Sequence, residues 1–139
     1  MATNHPKAGP NSVPAYQLSG IPYVTSSAAN EAPASGGTPI KVELPYVTRF
    51  FQVECIDENQ ALRVGFSALG IKDANYFVVG TQSKSDIYEM RTKDLFFLSD
   101  DSSDPSGFRV IAGLTTIERN QFPTLTGSVN GAEGFDGIG

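Results

Sequence analysis

The sequence predicts an all-β fold, an antiparallel sandwich of two sheets, and three observations support this. Short segments of alternating apolar and polar residues recur about every ten residues between Ile40 and Thr116. The same region has no stripe of apolar residues at helical spacing. The 14 glycines and nine prolines among 139 residues also disfavour long helices. Short, evenly spaced strands without helices are typical of a sandwich or barrel.

Composition divides the chain into a central domain, residues 40–116, and two arms, residues 1–39 and 117–139. The N-terminal arm holds six of the nine prolines and only two charged residues, and the C-terminal arm is rich in glycine. Such stretches bury too little apolar surface to offset their ordering entropy. Within the first arm, Val13–Thr25 has strand-like order, with prolines that suit a sheet edge. We expect a neighbouring subunit to order this segment; the alternative is an ordinary linker. The predicted interface residues are Tyr16, Leu18, Ile21, Tyr23 and Phe122.

Seven strands are predicted in the central domain, each from its own residue pattern. Ile40–Leu44 alternates apolar with charged side chains, so one face should be buried and the other wet. Val47–Ile56 is the longest candidate and places Phe51, Val53 and Cys55 on one face. The other alternating segments are Leu62–Ser67, Tyr76–Val79, Ile87–Thr92 and Phe108–Ala112.

Leu95–Leu98 is apolar on both faces, which predicts a strand deep in a sheet with packing on each side. With Val13–Thr25 the strands number eight. Eight strands in two sheets are the single jelly roll, in which two four-stranded layers fold together. An immunoglobulin-like sandwich is the competing topology, although the cysteine and tryptophan spacing typical of it is absent.

Side chains suited to catalysis are scarce, so we expect no enzyme, no cofactor and no resident metal. The one histidine, His5, lies in the arm, and a cupin-type metal site needs several converging ligands. The single cysteine, Cys55, occupies a core position, where a thiol is chemically quiet. Gly36–Gly37 and the tail from Gly127 lack the lysine that a phosphate loop requires.

Asp100, Asp101 and Asp104 supply the hard oxygens that calcium prefers. Pro105 stands where an EF-hand loop would need glycine, so we expect a solvated turn. A calcium loop at a subunit junction is the alternative. We expect three neighbouring charged residues to form ordinary ion pairs at the surface or at an interface, and not an anion site. They are Arg91, Lys93 and Asp94.

The charge balance argues against two classes of partner. Ten basic and fifteen acidic residues give a net charge of −5, so the chain has no excess of positive charge to neutralise phosphate groups. We therefore expect no nucleic-acid partner. Because no stretch approaches the roughly 18 apolar residues of a membrane span, we also expect no membrane insertion and synthesis in the cytosol.

Five segments follow one another in a recognisable order. They are Leu44–Phe51, Leu62–Ser67, Tyr76–Val79, Arg91–Phe97 and Phe108–Thr115. Their order resembles the small single-jelly-roll structural proteins of icosahedral viruses, in particular the penton proteins at the vertices of large double-stranded DNA virus capsids. The resemblance covers roughly Val13 to Gly127.

This resemblance implies a homopentamer around a five-fold axis, with arms that reach major and minor capsid proteins. It also implies location in the virion after synthesis in the host cytoplasm, and it carries over no catalytic residue. Small tail, fibre or decoration proteins of bacteriophages have a similar sequence pattern and remain an alternative. So does a carbohydrate- or receptor-binding module, with Tyr76 beside Asn75, or Tyr88, as the aromatic platform.

Overall fold

The computed structural model describes residues 20–27 and 31–122, which form seven β-strands and one short 3-10 helix. The strands are β1 (Ile21–Ser26), β2 (Ile40–Glu43), β3 (Tyr46–Cys55), β4 (Leu62–Gly65), β5 (Phe77–Val79), β6 (Asp94–Ser99) and β7 (Phe108–Glu118); the 3-10 helix spans Arg119–Gln121. They build a three-stranded sheet in the order β1-β7-β3 and a four-stranded sheet in the order β2-β6-β4-β5. Every strand pairing is antiparallel. The predicted all-β class, with two antiparallel sheets in a sandwich-like arrangement, is confirmed.

The strands pair in a nested order, from the two ends of the described chain toward its middle. β1 pairs with β7, β2 with β6, and β4 with β5. At the edge that faces away from β7, β3 contacts residues 84–88 through two isolated bridges, Glu54–Lys84 and Phe51–Tyr88. Successive pairs alternate between the two sheets, so the described chain is one long hairpin that folds over on itself.

The described residues contain seven strands, one fewer than predicted, because residues 87–92 make only an isolated bridge. The Val53 N–H donates to the Ser85 hydroxyl at 3.0 Å. The Thr92 N–H donates to the Thr48 hydroxyl, also at 3.0 Å. At both points a side chain takes the place of the carbonyl that a regular ladder would supply, and the strand is interrupted.

The observed strands also cross the predicted domain limits. β1 lies inside the segment predicted as an arm, yet it pairs along its whole length with β7 of the same chain. β7 continues two residues past the predicted end of the domain at residue 116. β1 and β7 satisfy each other's backbone groups over residues 109–114, whereas the end of β7 pairs with β3, where Glu118 is the register partner of Tyr46.

The core lies between the sheets and holds the residues that alternation predicts. Phe51, Val53 and Cys55 are fully buried on one face of β3. The prediction that Cys55 is a core residue is confirmed. Leu95–Leu98 forms most of β6, which lies between β2 and β4 in the four-stranded sheet, as predicted. The ring of Phe97 in that sheet stacks on the ring of Phe108 in the other at 4.2 Å between centroids.

The connections between strands divide between two ends of the sandwich. One end, here named the loop end, holds the connections after β1, β3, β5 and β6. Six acidic residues lie on the parts of these connections at the loop end, within residues 31–39, 56–61, 80–83 and 100–107: Glu31, Asp57, Glu58, Asp100, Asp101 and Asp104. The opposite end, the terminal end, holds Gly20, where β1 is entered, and Phe122, which follows the 3-10 helix. The described chain therefore enters and leaves its central domain at the same end.

Candidate functional site

Exposed apolar side chains, and not a polar cluster, are the distinctive feature of the described surface. Within residues 20–27 and 31–122, no group of three or more His, Cys, Asp or Glu side chains is arranged to hold a metal ion. None of the helical structure in those residues is long and apolar enough to cross a bilayer.

The acidic loop after β6 is an exposed turn that its own backbone stabilises, as the sequence predicts. The Asp101 carboxylate accepts the N–H of Ser103 at 2.7 Å and that of Asp104 at 2.9 Å. These two hydrogen bonds lower the pKa of Asp101 below its ordinary value. Asp100 instead pairs with Arg63 on β4 at 2.7 Å. The carboxylates thus have separate partners within the chain.

The outer face of the three-stranded sheet carries an exposed row that we name the apolar stripe: Val24, Ile111 and Ile87. Val24 on β1 is the register partner of Ile111 on β7, which in turn is opposite Gln52 on β3. Ile87 lies on the segment that borders β3. The three apolar residues are 65%, 41% and 60% exposed, respectively. Gln52 lies between Ile111 and Ile87, so the stripe consists of exposed apolar side chains on one outer sheet face with one polar residue among them, and such a grouping is typical of a contact surface.

Ion pairs border the apolar stripe on both sides. Toward the loop end, Arg109 lies 3.5 Å from Glu54. Toward the terminal end, Arg49 lies 3.0 Å from Glu89. Such exposed pairs contribute little to folding stability. The two ion pairs do place charged groups beside the uncharged stripe. A partner surface that is apolar where it covers the stripe is therefore favoured.

Of the predicted interface residues, Tyr16 and Leu18 lie outside the described residues. Ile21 and Tyr23 are half-buried on β1 and pack against the core of their own chain. Their contact with a neighbouring subunit stays a prediction. The exposed large aliphatic side chain of this strand is Val24, which the sequence reasoning missed. Alternation along β1 assigns Val24 to the face opposite Tyr23, but it does not say which of the two faces is exposed.

Phe122, the fifth predicted interface residue, is half-buried at the terminal end. Its carbonyl accepts the Lys93 ammonium at 3.0 Å. Next to it, the Arg119 guanidinium donates to the carbonyls of Leu44 at 2.8 Å and Lys93 at 2.6 Å, and to the Asp94 carboxylate at 2.7 Å. This network ties the chain that follows β7 to the start of β6, so the exit point of the described chain is held in place.

An open cavity of about 350 Å³ lies beside β5 at the edge of the four-stranded sheet. Its lining residues are Val64, Phe66, Ala74, Asn75, Tyr76 and Phe77. The Arg63 guanidinium covers one face of the Tyr76 ring at 4.3 Å, so that face is already occupied. Tyr88, the other predicted platform, packs against Phe51 and Phe77. The structure thus brings Asn75 and Tyr76 together at one cavity, whereas Tyr88 contacts the lining residue Phe77 but does not itself line the cavity.

The described surface offers a stripe for contact with another apolar surface and a small cavity for a ligand. Neither feature contains a nucleophile paired with a base in the described residues. Comparison of the chain with protein-family models, with curated proteins and with solved structures finds no match.

Proposed function

We propose that this chain is a structural subunit of an icosahedral virus capsid, a vertex (penton) protein that assembles as a homopentamer. Its arms contact neighbouring major and minor capsid proteins, and it performs no catalysis. The observation that carries the proposal is the nested strand order. A jelly roll is a long hairpin rolled so that successive strand pairs alternate between two four-stranded sheets. When residues 84–88 are counted as a short edge strand, both sheets have four members in that order.

The surface supports association between copies. The apolar stripe is uncovered in the described residues, and ring closure by rotation needs two different complementary patches on each subunit. Gly20 and Phe122 lie at the same end of the sandwich. Arms that begin there would reach neighbours on one side of the assembly. The net charge of −5 favours contact with protein over contact with the packaged genome.

Sedimentation velocity and negative-stain electron microscopy of the purified full chain test this proposal. We expect a closed ring with five times the mass of the 14.8 kDa chain. A ring with another copy number would favour the bacteriophage tail, fibre or decoration protein. A chain that stays monomeric at every concentration would contradict both assignments.

A carbohydrate- or receptor-binding module is the second candidate, and the cavity beside β5 is the observation that favours it. Asn75 offers a carboxamide and Tyr76 an aromatic ring at its rim. A glycan array would identify a ligand, and Tyr76→Ala should then abolish binding. Val78→Ala is the matched control, because Val78 is exposed on β5, two residues after Tyr76, and does not line the cavity. Absence of any glycan binding at high micromolar concentration would remove this candidate.

A further inference from the structure

The free edge of β1 differs from the other three sheet edges in the described part of the chain. β2 has four residues, two of them charged, and β5 has three residues. Residues 84–88 form separate bridges and carry two charges. Short, charged or irregular edges oppose pairing with a further strand. β1 has six uncharged residues in regular register, and Pro22 is the one feature that hinders pairing.

The pairing of β1 with β7 leaves alternate peptide groups pointing away from the sheet. Just beyond β1, the Ser27 N–H donates to the Phe108 carbonyl at 2.9 Å. In an antiparallel ladder the peptide groups of successive residues point to opposite sides. The N–H and C=O groups of Ser26 and Val24 therefore face the free edge. This edge presents the donors and acceptors that a strand partner requires.

We propose that this edge binds residues 13–18 of a second copy of the chain as an added strand. The inference rests on the proposed function, in which arms contact neighbouring subunits. Residues 13–18 match β1 in length, carry no charge and have a residue order compatible with a strand. The bound strand would cover Ile21 and Tyr23 on the inner face and extend the apolar stripe from Val24 on the outer face.

The geometry favours a second copy over the chain's own segment. A hairpin within one chain would have to turn within Ser19 and Gly20, since β1 is extended from Ile21. Ile21 would be one of the two residues that close such a two-residue turn, and these two residues must hydrogen-bond to each other. The alternation of peptide groups along β1, however, directs the peptide groups of Ile21 to β7. The Gly20 N–H also donates to the Leu114 carbonyl at 3.1 Å, so the chain still follows β7 at that point.

Two variants of the full chain, Val24→Pro and Val24→Ala, test the edge. Proline removes the N–H that faces the free edge and leaves the hydrogen bonds to β7 intact. Alanine shortens the same exposed side chain and keeps the N–H. We expect equal melting temperatures for the two variants. In sedimentation, Val24→Pro should weaken the contact between copies at least tenfold relative to Val24→Ala. Equal association of the two variants would overturn the inference.

A second measurement on the otherwise unaltered full chain does not depend on the folding of the proline variant. Benzoylphenylalanine in place of Tyr16, in mixed isotope-labelled and unlabelled copies, should cross-link to residues 21–26 of another copy. A control with the same probe at Ser102, on the loop end, should not reach that strand. Cross-links to residues 21–26 within one copy would show that the chain's own segment, and not that of a second copy, binds the β1 edge, and would overturn the inference. A homopentamer without either cross-link would overturn the inference and leave the proposed function standing, whereas a monomer would overturn both.

Discussion

The two faces of the three-stranded sheet hold similar residues in opposite environments. Val110 and Ile111 are neighbours on β7, yet Val110 is fully buried and Ile111 is 41% exposed. Phe51 and Phe50 on β3 repeat the contrast, since Phe51 is buried and Phe50 is half-buried on the outer side. A second sheet covers the inner face, whereas nothing in the described residues covers the outer one. Apolar character alone therefore does not identify the core, and the uncovered face is the one available for contact between molecules.

Truncation of Phe51 should have the largest effect on stability. Its ring is fully buried and meets Phe66 at 6.1 Å and Tyr88 at 5.6 Å between centroids. Phe51→Ala leaves a cavity between the sheets and should lower the free energy of unfolding by about 3–5 kcal/mol in urea denaturation. Phe50→Ala is the control and should cost less than half as much. Equal losses for the two variants would break the distinction between the faces.

Loss of the Thr48 hydroxyl should have an intermediate effect. Irregular register in β3 places this polar side chain on the buried side, where its oxygen accepts the Thr92 N–H and donates to the Met90 carbonyl at 2.7 Å. Thr48→Val leaves a buried N–H unpaired and should cost about 1–3 kcal/mol. Thr116→Val, at an exposed position on β7, should be neutral in the same urea titration. A neutral Thr48→Val would show that Thr92 finds another acceptor.

Substitution in the apolar stripe should have the smallest effect on folding and a clear effect on association. Ile111→Thr keeps a β-branched side chain in the strand, so the free energy of unfolding should change by less than about 0.5 kcal/mol. If copies associate through the stripe as proposed, sedimentation should show weaker contact between them, because apolar surface is lost at that contact. A loss of stability comparable to that of Phe51→Ala would mean that the outer face is covered within the chain itself.

Much of the fold was predictable because burial on one side of a sheet imposes a period of two. That rule placed Phe51, Val53 and Cys55 in the core and Leu95–Leu98 in a central strand. It failed at residues 87–92, where alternation is present but the hydroxyls of Ser85 and Thr48 interrupt the ladder. Hydrogen bonds between side chains and a distant backbone leave no periodic signal in a sequence.

The candidate surface was less predictable than the fold. The sequence reasoning selected Ile21 and Tyr23 for contact and overlooked Val24, although it marked their segment as suited to a sheet edge. Alternation separates the two faces of a strand and does not say which face meets the core. Only the register of β1 on β7 assigns Val24 to the outer side.

The sequence by itself determined the all-β class, the buried residues of the longest strands and the scarcity of catalytic side chains. These are local properties, set by residue type and spacing. Only the tertiary structure decided that β1 pairs with β7, that Val24, Ile111 and Ile87 lie on one outer sheet face, and that Gly20 and Phe122 lie at the same end. Each of these depends on which distant strands pair, and pairing is selected by the summed burial and hydrogen bonding of the whole sandwich.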